Sequence, residues 1–298
     1  MIADAPAPLI SALIPTCRRN ETLAMVLRAF SHQTAARGSF EVLVLEDGPS
    51  GHARETAARF GARYLDVDHP PGPAGARNAG LDAARGRLIL MLGDDMIPAC
   101  DLVQRHLEAH GRMPGGAVLG RVAWHPACDV TPLMLHLAER GGQFSFHHIR
   151  DQERCGYRFF YTSNISLEAR WFEQERFDPA FRLPSTEDTE LGFRLQRLGL
   201  VIRYRPRLLV WHHHHLDQGT YLERQVRAGQ AVQYMVDKHD PDPDPRRRLL
   251  PTSLVPGATA AVIAAGHLLS LLPGTRLKWY GLVLGHYARG AVRGGGRW

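Results

Sequence analysis

An α/β fold built on a doubly wound, mostly parallel sheet is what this sequence predicts. Three observations lead there. Short apolar runs alternate with helix-period segments along the first hundred residues, the pattern of repeated βαβ units. Acidic groups follow two of those runs: Leu43–Leu45 leads into Glu46-Asp47-Gly48, and Leu88–Leu92 leads into Gly93-Asp94-Asp95. The composition of the 298 residues, 44% hydrophobic and 22% charged, is that of a globular protein with a sizeable core.

The elements follow in order. Leu9 to Ile14 reads as a buried strand ending at Pro15-Thr16. Residues 21–33 form a helix, because Leu23, Val26, Leu27 and Phe30 recur at helical spacing. Phe40 to Leu45 is the second strand, 52–60 a helix, and Arg63 to Val67 a third strand. Pro70 to Gly75 is a loop by composition, Ala76 to Ala84 a helix stopped by Gly86, and Arg87 to Leu92 the fourth strand. The second half is less regular. Residues 101–110 read as helix, 117–124 as strand and Tyr157 to Leu167 as an extended run. Leu191, Leu195 and Leu198 mark a helix closed by Gly199, and Val201–Tyr204 and Leu208–Trp211 read as two short strands. A helix over 219–238 is expected to be capped by a Thr220/Glu223 box. The alternating Asp-Pro run from Asp240 to Pro245 reads as a stiff, extended linker. Two domains are therefore expected, 1–240 and 241–298.

Charge is placed unevenly. The net value is +6, yet the segment from Arg246 to Trp298 carries eight Arg and Lys and no acid, which leaves −2 on the remainder. No nucleic-acid module or aromatic stacking platform accompanies the basic residues, so nucleic acid is not the expected partner. An anionic membrane surface suits such a tail better. Residues 253–272 are uncharged but rich in Ala and Gly, whereas 275–293 mix apolar, aromatic and basic residues as an interfacial helix does. The other reading is a helical pair packed on the protein or on a partner. Met1 to Pro6 has no basic and apolar pattern of a secretory signal, and the four cysteines form no C-x-x-C pair. A cytoplasmic protein with reduced thiols is expected, at the inner face of the membrane if the tail attaches there.

The acidic groups carry the chemistry. Glu46 and Asp47 at a strand's C-terminal edge can accept from a nucleobase or ribose, although Asp-Gly is also turn chemistry. The loop Gly72–Gly75 entering a helix offers N–H groups to phosphate, with Arg77 as a fork for a diphosphate oxygen. Asp95 can hold a divalent cation through oxygen, the alternative being a helix cap before Ile97-Pro98. Glu187-Asp188 opens a helix. Asp188 can be a cap paired with Ser185, a general base, or both at once, and its place at a helix N-terminus fixes the carboxylate and favours its ionised form. In Trp211–His215, alternation puts His212 and His214 on one face, where an imidazole can complete a metal shell.

In their order, these segments resemble the family-2 glycosyltransferases of the GT-A fold. Leu13-Ile14-Pro15-Thr16 with Arg18-Arg19-Asn20 is similar to the family's I-P-T-Y-N-R, Ser31-His32-Gln33-Thr34 to S-x-Q-T, and Glu46-Asp47-Gly48 to D-D-G-S. Ala76–Gly80 is similar to A-R-N-x-G, and Leu92–Pro98 to the segment bearing DxD. Asn164-Ile165-Ser166, Phe177-Asp178 and Glu187–Leu195 are similar to the acceptor half, so the likeness spans roughly 9–235. The resemblance implies a Rossmann-like, mixed, mostly parallel sheet flanked by helices, followed here by a helical basic tail. It also implies a nucleotide-diphosphate sugar donor, UDP-linked, held by Pro15, Thr16, Glu46, Asp47, Gly75, Arg77 and Asp94. Mn²⁺ or Mg²⁺ would sit on Asp95 with His212 or His214, Asp188 beside Glu187 would be the base of an inverting transfer, and Asn164 would face the acceptor, a lipid-linked one if the tail binds membrane. Three positions depart from the family pattern: Gly93 replaces the first Asp of DxD, Cys17 the usual Tyr, and Pro49 the usual Ser. A degenerate DxD leaves open a sugar-nucleotide binder without catalysis, and a His-only zinc hydrolase is the remaining rival.

Overall fold

The computed structural model describes residues 7–48, 51–67, 72–140, 143–181, 185–249, 258–272 and 276–293. Pro49, Pro70, Pro71 and the stretch 253–257 lie outside them. The elements in chain order are β1 (Ile10–Thr16), α1 (Asn20–Ser31), β2 (Phe40–Asp47), α2 (His52–Arg59), β3 (Arg63–Val67), α3 (Pro73–Ala83) and β4 (Leu88–Leu92). Next come β5 (Met96–Pro98), α4 (Leu102–Arg112), β6 (Ala117–Trp124), α5 (Pro132–Arg140), β7 (Asn164–Glu168) and α6 (Trp171–Gln174). The chain continues with α7 (Glu187–Arg197), β8 (Ile202–His212), α8 (Gln218–Lys238), α9 (Pro243–Leu249), α10 (Ala258–Ser270) and α11 (Arg276–Arg293).

Two compact units form. The first takes residues 1–128, 146–182 and 188–214, and the second takes 129–145, 183–187 and 215–298. The first holds an eight-stranded sheet in the order β3-β2-β1-β4-β7-β6-β8-β5. β3, β2, β1 and β4 run parallel, β7 opposes both β4 and β6, β6 and β8 are parallel, and β5 opposes β8. This is the expected mixed α/β sheet flanked by helices. The five residues of β4 are all buried, as an apolar run inside a two-faced sheet requires. One core cluster joins Leu13, Leu45, Met91 and Ile165 of the sheet to Leu191 and Leu195 of α7. Gly199 ends α7 with φ of +98°, a left-handed conformation that suits glycine.

The structure redraws several expected elements. The two short strands after Val201 are one strand, β8, whose pairing with β6 shifts register between Gly120 and Arg121. Extra residues around Pro206 form the irregularity, which a sequence pattern broken at Pro206 reads as a gap. Only the end of the Tyr157–Leu167 run is strand, because Tyr157–Phe159 forms a 3₁₀ turn first. Asp217, not Thr220, caps α8: its side chain accepts from Thr220 N at 2.7 Å. The Asp-Pro run is not extended either, for α9 begins at Pro243, a residue well suited to a first helical turn.

In the second unit, α8 packs on α11, where a Cβ at Gly229 would fall 2.0 Å from Tyr287 O and one at Gly290 1.9 Å from Val226 O. Val232, Val236 and Ala291 are buried in that contact, with Leu249 and Tyr287 against them. Among the described residues no helix is long and apolar enough to cross a membrane.

Candidate active site

The site lies at the C-terminal edges of β1, β2 and β4, where open α/β sheets receive ligands. Register brings its parts together. Thr16 ends β1, and its Oγ1 donates to Asp94 Oδ2 at 2.8 Å. Beyond β4 the chain turns at Gly93 and enters β5, which pairs with the end of β8 so that Met96 faces His212. His213 N then donates to Asp95 O at 2.9 Å, fixing the two segments side by side.

The result is a cluster of three potential metal ligands. His212 Nε2 stands 3.3 Å and His214 Nδ1 3.8 Å from Asp95 Oδ2. One ligand atom from each of the three lies within 4.8 Å of the others. The two imidazole planes are nearly parallel and stacked, with centroids 5.4 Å apart, on one side as alternation along the strand predicts. Trp124 stacks on His212 at 4.9 Å and holds its ring. Two imidazoles and one carboxylate form a donor set that fits a divalent transition ion.

Arg19 completes the charge balance, and sequence reasoning assigned it no role. Its NH1 lies 2.7 Å from Asp95 Oδ2 and 3.5 Å from Asp94 Oδ1. Burial raises the Asp94 carboxyl from its ordinary value, the Asp95 charge adds to that, and Arg19 and Thr16 offset only part of it. For Asp95, burial also acts upward, but the hydrogen bond and charge of His212, then Arg19 and His214, outweigh it and hold the group low. Asp95, the oxygen donor of the cluster, is therefore the more acidic of the two carboxyls. Gly93 is where a side chain would intrude, since a Cβ there would lie 3.0 Å from Asp95 Oδ1. Its presence leaves room for the Asp95 carboxylate.

The nucleotide-side residues are more occupied than their sequence suggests. Glu46 is buried and accepts from Tyr64 OH at 2.7 Å and Ala53 N at 3.4 Å, so it serves the N-terminus of α2. Burial, followed by the Glu46 hydrogen bond, pushes the Tyr64 phenol up to about 12. Asp47 takes Gly72 N on both oxygens, at 3.1 and 2.9 Å, and so anchors the loop entering α3. Pro15 is half-buried beside Thr16, and Gly75 lies in the first turn of α3, where N–H groups have no partner within the helix. Arg77 is buried with its guanidinium 5.4 Å from the centre of the Phe177 ring. Asn78 clamps the Phe177 backbone, donating to its O at 2.8 Å and accepting from its N at 3.1 Å.

Asp188 is half-buried at the start of α7. Its Oδ1 accepts from Thr189 N at 2.7 Å and its Oδ2 from Thr162 N at 3.4 Å. Thr162 precedes β7 by two residues, and Asn164 pairs with Leu92, so Thr162 lies past the end of β4 on the edge that carries Asp94. The expected Ser185–Asp188 box forms differently: Glu187, buried, accepts from Ser185 N at 2.8 Å.

Asn164, expected on the acceptor side, opens β7 within the sheet. Its side chain is fully buried and is spent on Arg121 O at 3.1 Å, Leu208 O at 2.9 Å and His106 Nε2 at 3.1 Å. A polar side chain in the middle of a sheet must find such partners, and here it ties β7 to β6 and β8 across the register shift.

A model of the family described as Glycosyl transferase family 2 matches residues 11–174, more than half of the chain. The chain belongs to that family. The matched residues include Thr16, Glu46, Asp47, Arg77, Asp94 and Asp95. Validoxylamine A glucosyltransferase of Streptomyces hygroscopicus subsp. limoneus is 29% identical over 226 residues, which cover 66% of this chain and 50% of that one. The chain thus spans about half the length of that curated relative. Among solved structures, mannosyltransferase PcManGT from Pyrobaculum calidifontis in complex with GDP-Man and Mn²⁺ superposes with a TM-score of 0.70 at 16% identity, covering 97% of this chain and 87% of that one. S. aureus TarS 1–349 in complex with UDP-GlcNAc gives a TM-score of 0.56 at 12% identity, covering 95% and 90%. The fold of this family-2 chain is GT-A.

Proposed function

We propose that the protein transfers a sugar from a nucleotide-diphosphate sugar, UDP-linked, to an acceptor hydroxyl with inversion, in the synthesis of a polysaccharide, glycolipid or other glycoconjugate. The Asp95–His212–His214 cluster carries this reading, because three groups able to ligate a cation lie together beside the acidic edge of a family-2 fold. The chemistry of relatives that act on glucosyl and mannosyl groups, and of neighbours solved with GDP-Man and UDP-GlcNAc, supports a nucleotide-sugar donor.

A bound cation would neutralise charge developing on the departing diphosphate. Asp95, His212 and His214 would hold it, and their nitrogen content favours Mn²⁺ over Mg²⁺, which prefers an all-oxygen shell. Arg19 shares Asp95 Oδ2 with that position, so a cation there would compete with its guanidinium, which is chemically suited to a phosphate oxygen. Asp188 takes the proton of the acceptor hydroxyl, held by the backbone N–H groups of Thr189 and Thr162. Thr16, Asp47, Gly75 and Arg77 line the nucleotide side, with Glu46 and Asp94 supporting them. The transfer belongs to residues 1–240, and 241–298 serve attachment.

Incubation with UDP-, GDP- and dTDP-sugars, with and without Mn²⁺, tests the proposal. Release of UDP that requires both the cation and the matching donor is the expected result. Retention of nucleotide without release would make the protein a sugar-nucleotide binder.

A further inference from the structure

Large apolar side chains stand exposed at the end of α10 and the start of α11. Leu268 is 68% and Leu271 69% exposed near the end of α10, and Leu277 is 52% and Tyr280 54% exposed at the start of α11. Leu272 adds a fifth at 39%. The other exposed large apolar residues among the described ones are Leu9, Met25, Val130, Leu135, Leu198 and Val292.

Helix packing explains why these side chains are left outside. A Cβ on Gly266 would lie 2.6 Å from Gly281 O, and one on Gly281 would lie 2.6 Å from Leu269 Cβ. The two backbones meet at their glycines, so the contact between helices uses small residues and Leu269. Leu268, Leu271, Leu272 and Leu277 stay exposed beside that contact. Five such residues fall within thirteen positions of the sequence, a density of exposed apolar side chains that suits an interaction surface.

The surroundings of the patch select its occupant. From Arg246 to Trp298 the sequence holds no Asp or Glu, and Lys278 lies within the patch, its ammonium 5.6 Å from the centre of the Trp279 ring. Trp279 is half-buried beside Tyr280, which provides the aromatic pair that favours the level of lipid headgroups. No described helix is apolar enough to span a bilayer, so contact would be interfacial.

We propose that this end of the hairpin inserts Leu268, Leu271, Leu277 and Tyr280 into the interfacial layer of an anionic membrane while Lys278 meets the headgroups. The inference is independent of donor chemistry, and its readout involves no nucleotide.

Vesicle co-sedimentation of the full chain tests it. Binding to vesicles containing phosphatidylglycerol, with little binding to pure phosphatidylcholine and release by high salt, is expected. Leu271→Asp combined with Leu277→Asp should weaken binding by about tenfold or more with an unchanged melting curve, since both side chains are exposed. Lys278→Glu should weaken it by several-fold. Absence of binding overturns the proposal. So does equal binding to neutral and anionic vesicles, or a dimer in light scattering that the double substitution dissociates. If the double variant melts early, the lipid and salt dependence of the unaltered chain still decides the matter.

Discussion

At the scale of single residues, Asp95 Oδ2 is contested. Arg19, His212 and His214 all converge on it, and a cation held there would compete with the guanidinium. Removal of Arg19 leaves the Asp94–Asp95 pair without its resident positive charge. Arg19→Ala is therefore expected to tighten Mn²⁺ binding in the absence of nucleotide by about tenfold, measured by titration calorimetry. Weaker binding in that variant would mean that Arg19 supports the cation rather than competing with it. Asp188 poses the complementary question. Asp188→Asn keeps the shape and loses the proton acceptor, so transfer should fall by about 10²–10⁴-fold while donor affinity is unchanged. Loss of donor binding along with transfer would place Asp188 in the donor site instead. Arg19 stands inside a motif quoted from the sequence, yet nothing in the motif says which carboxylate it meets. Tyr64 has no sequence signal at all, because its link to Glu46 exists only through the pairing of β2 with β3.

At the scale of elements, β7 and α4 share a buried polar chain. His106 Nδ1 meets Ser166 Oγ at 2.7 Å and His110 Nε2 meets the same oxygen at 2.8 Å, while His106 Nε2 meets Asn164 Oδ1. Burial, the largest influence on each ring, lowers His106 to about 3 and His110 to about 4. The folded protein therefore refuses protons that the unfolded chain accepts below about pH 6.5. Stability from these two groups is complete above that pH and is lost as pH falls toward the folded values. The loss amounts to at most about 1.4 kcal/mol per pH unit for each ring. Urea midpoints should decline between neutrality and mild acid, and His106→Gln should flatten that decline by up to one proton. An identical slope in the variant would show that other groups set the acid response. Asn164→Ala should cost about 2–4 kcal/mol, because Arg121 O and Leu208 O lose their donor in a dry sheet. In the sequence, Asn164 sits in a segment that resembles an acceptor motif. Only burial by β6 and β8 shows it working as a sheet tie.

At the scale of the whole molecule, ligand and helix packing both enter the melting temperature. A donor sugar with Mn²⁺, at about a thousandfold over its dissociation constant, should stabilise the fold by about 4 kcal/mol, an effect that a chelator reverses if the cation bridges donor and protein. Differential scanning fluorimetry with each nucleotide sugar reads this directly. Truncation after Asp240 would remove α11 and expose the α8 face bearing Val232 and Val236, so the shortened chain should melt earlier than the full one. An unchanged melting point would show that α8 is held without α11.

The sequence by itself determined the alternation of strands and helices, the acidic strand ends and the shared face of His212 and His214. Each is a local matter of apolar periodicity or of alternation along one strand. Tertiary structure alone decided which of those groups meet. Asp95 reaches the histidines through β5, three residues long and without a pattern of its own, and the pairing with β8 spans more than a hundred positions. Such contacts depend on sheet order, which no window of neighbouring residues encodes. The exposed leucines of the last two helices follow the same logic: an apolar stretch is legible, but whether its side chains are covered depends on the faces that the glycines let touch.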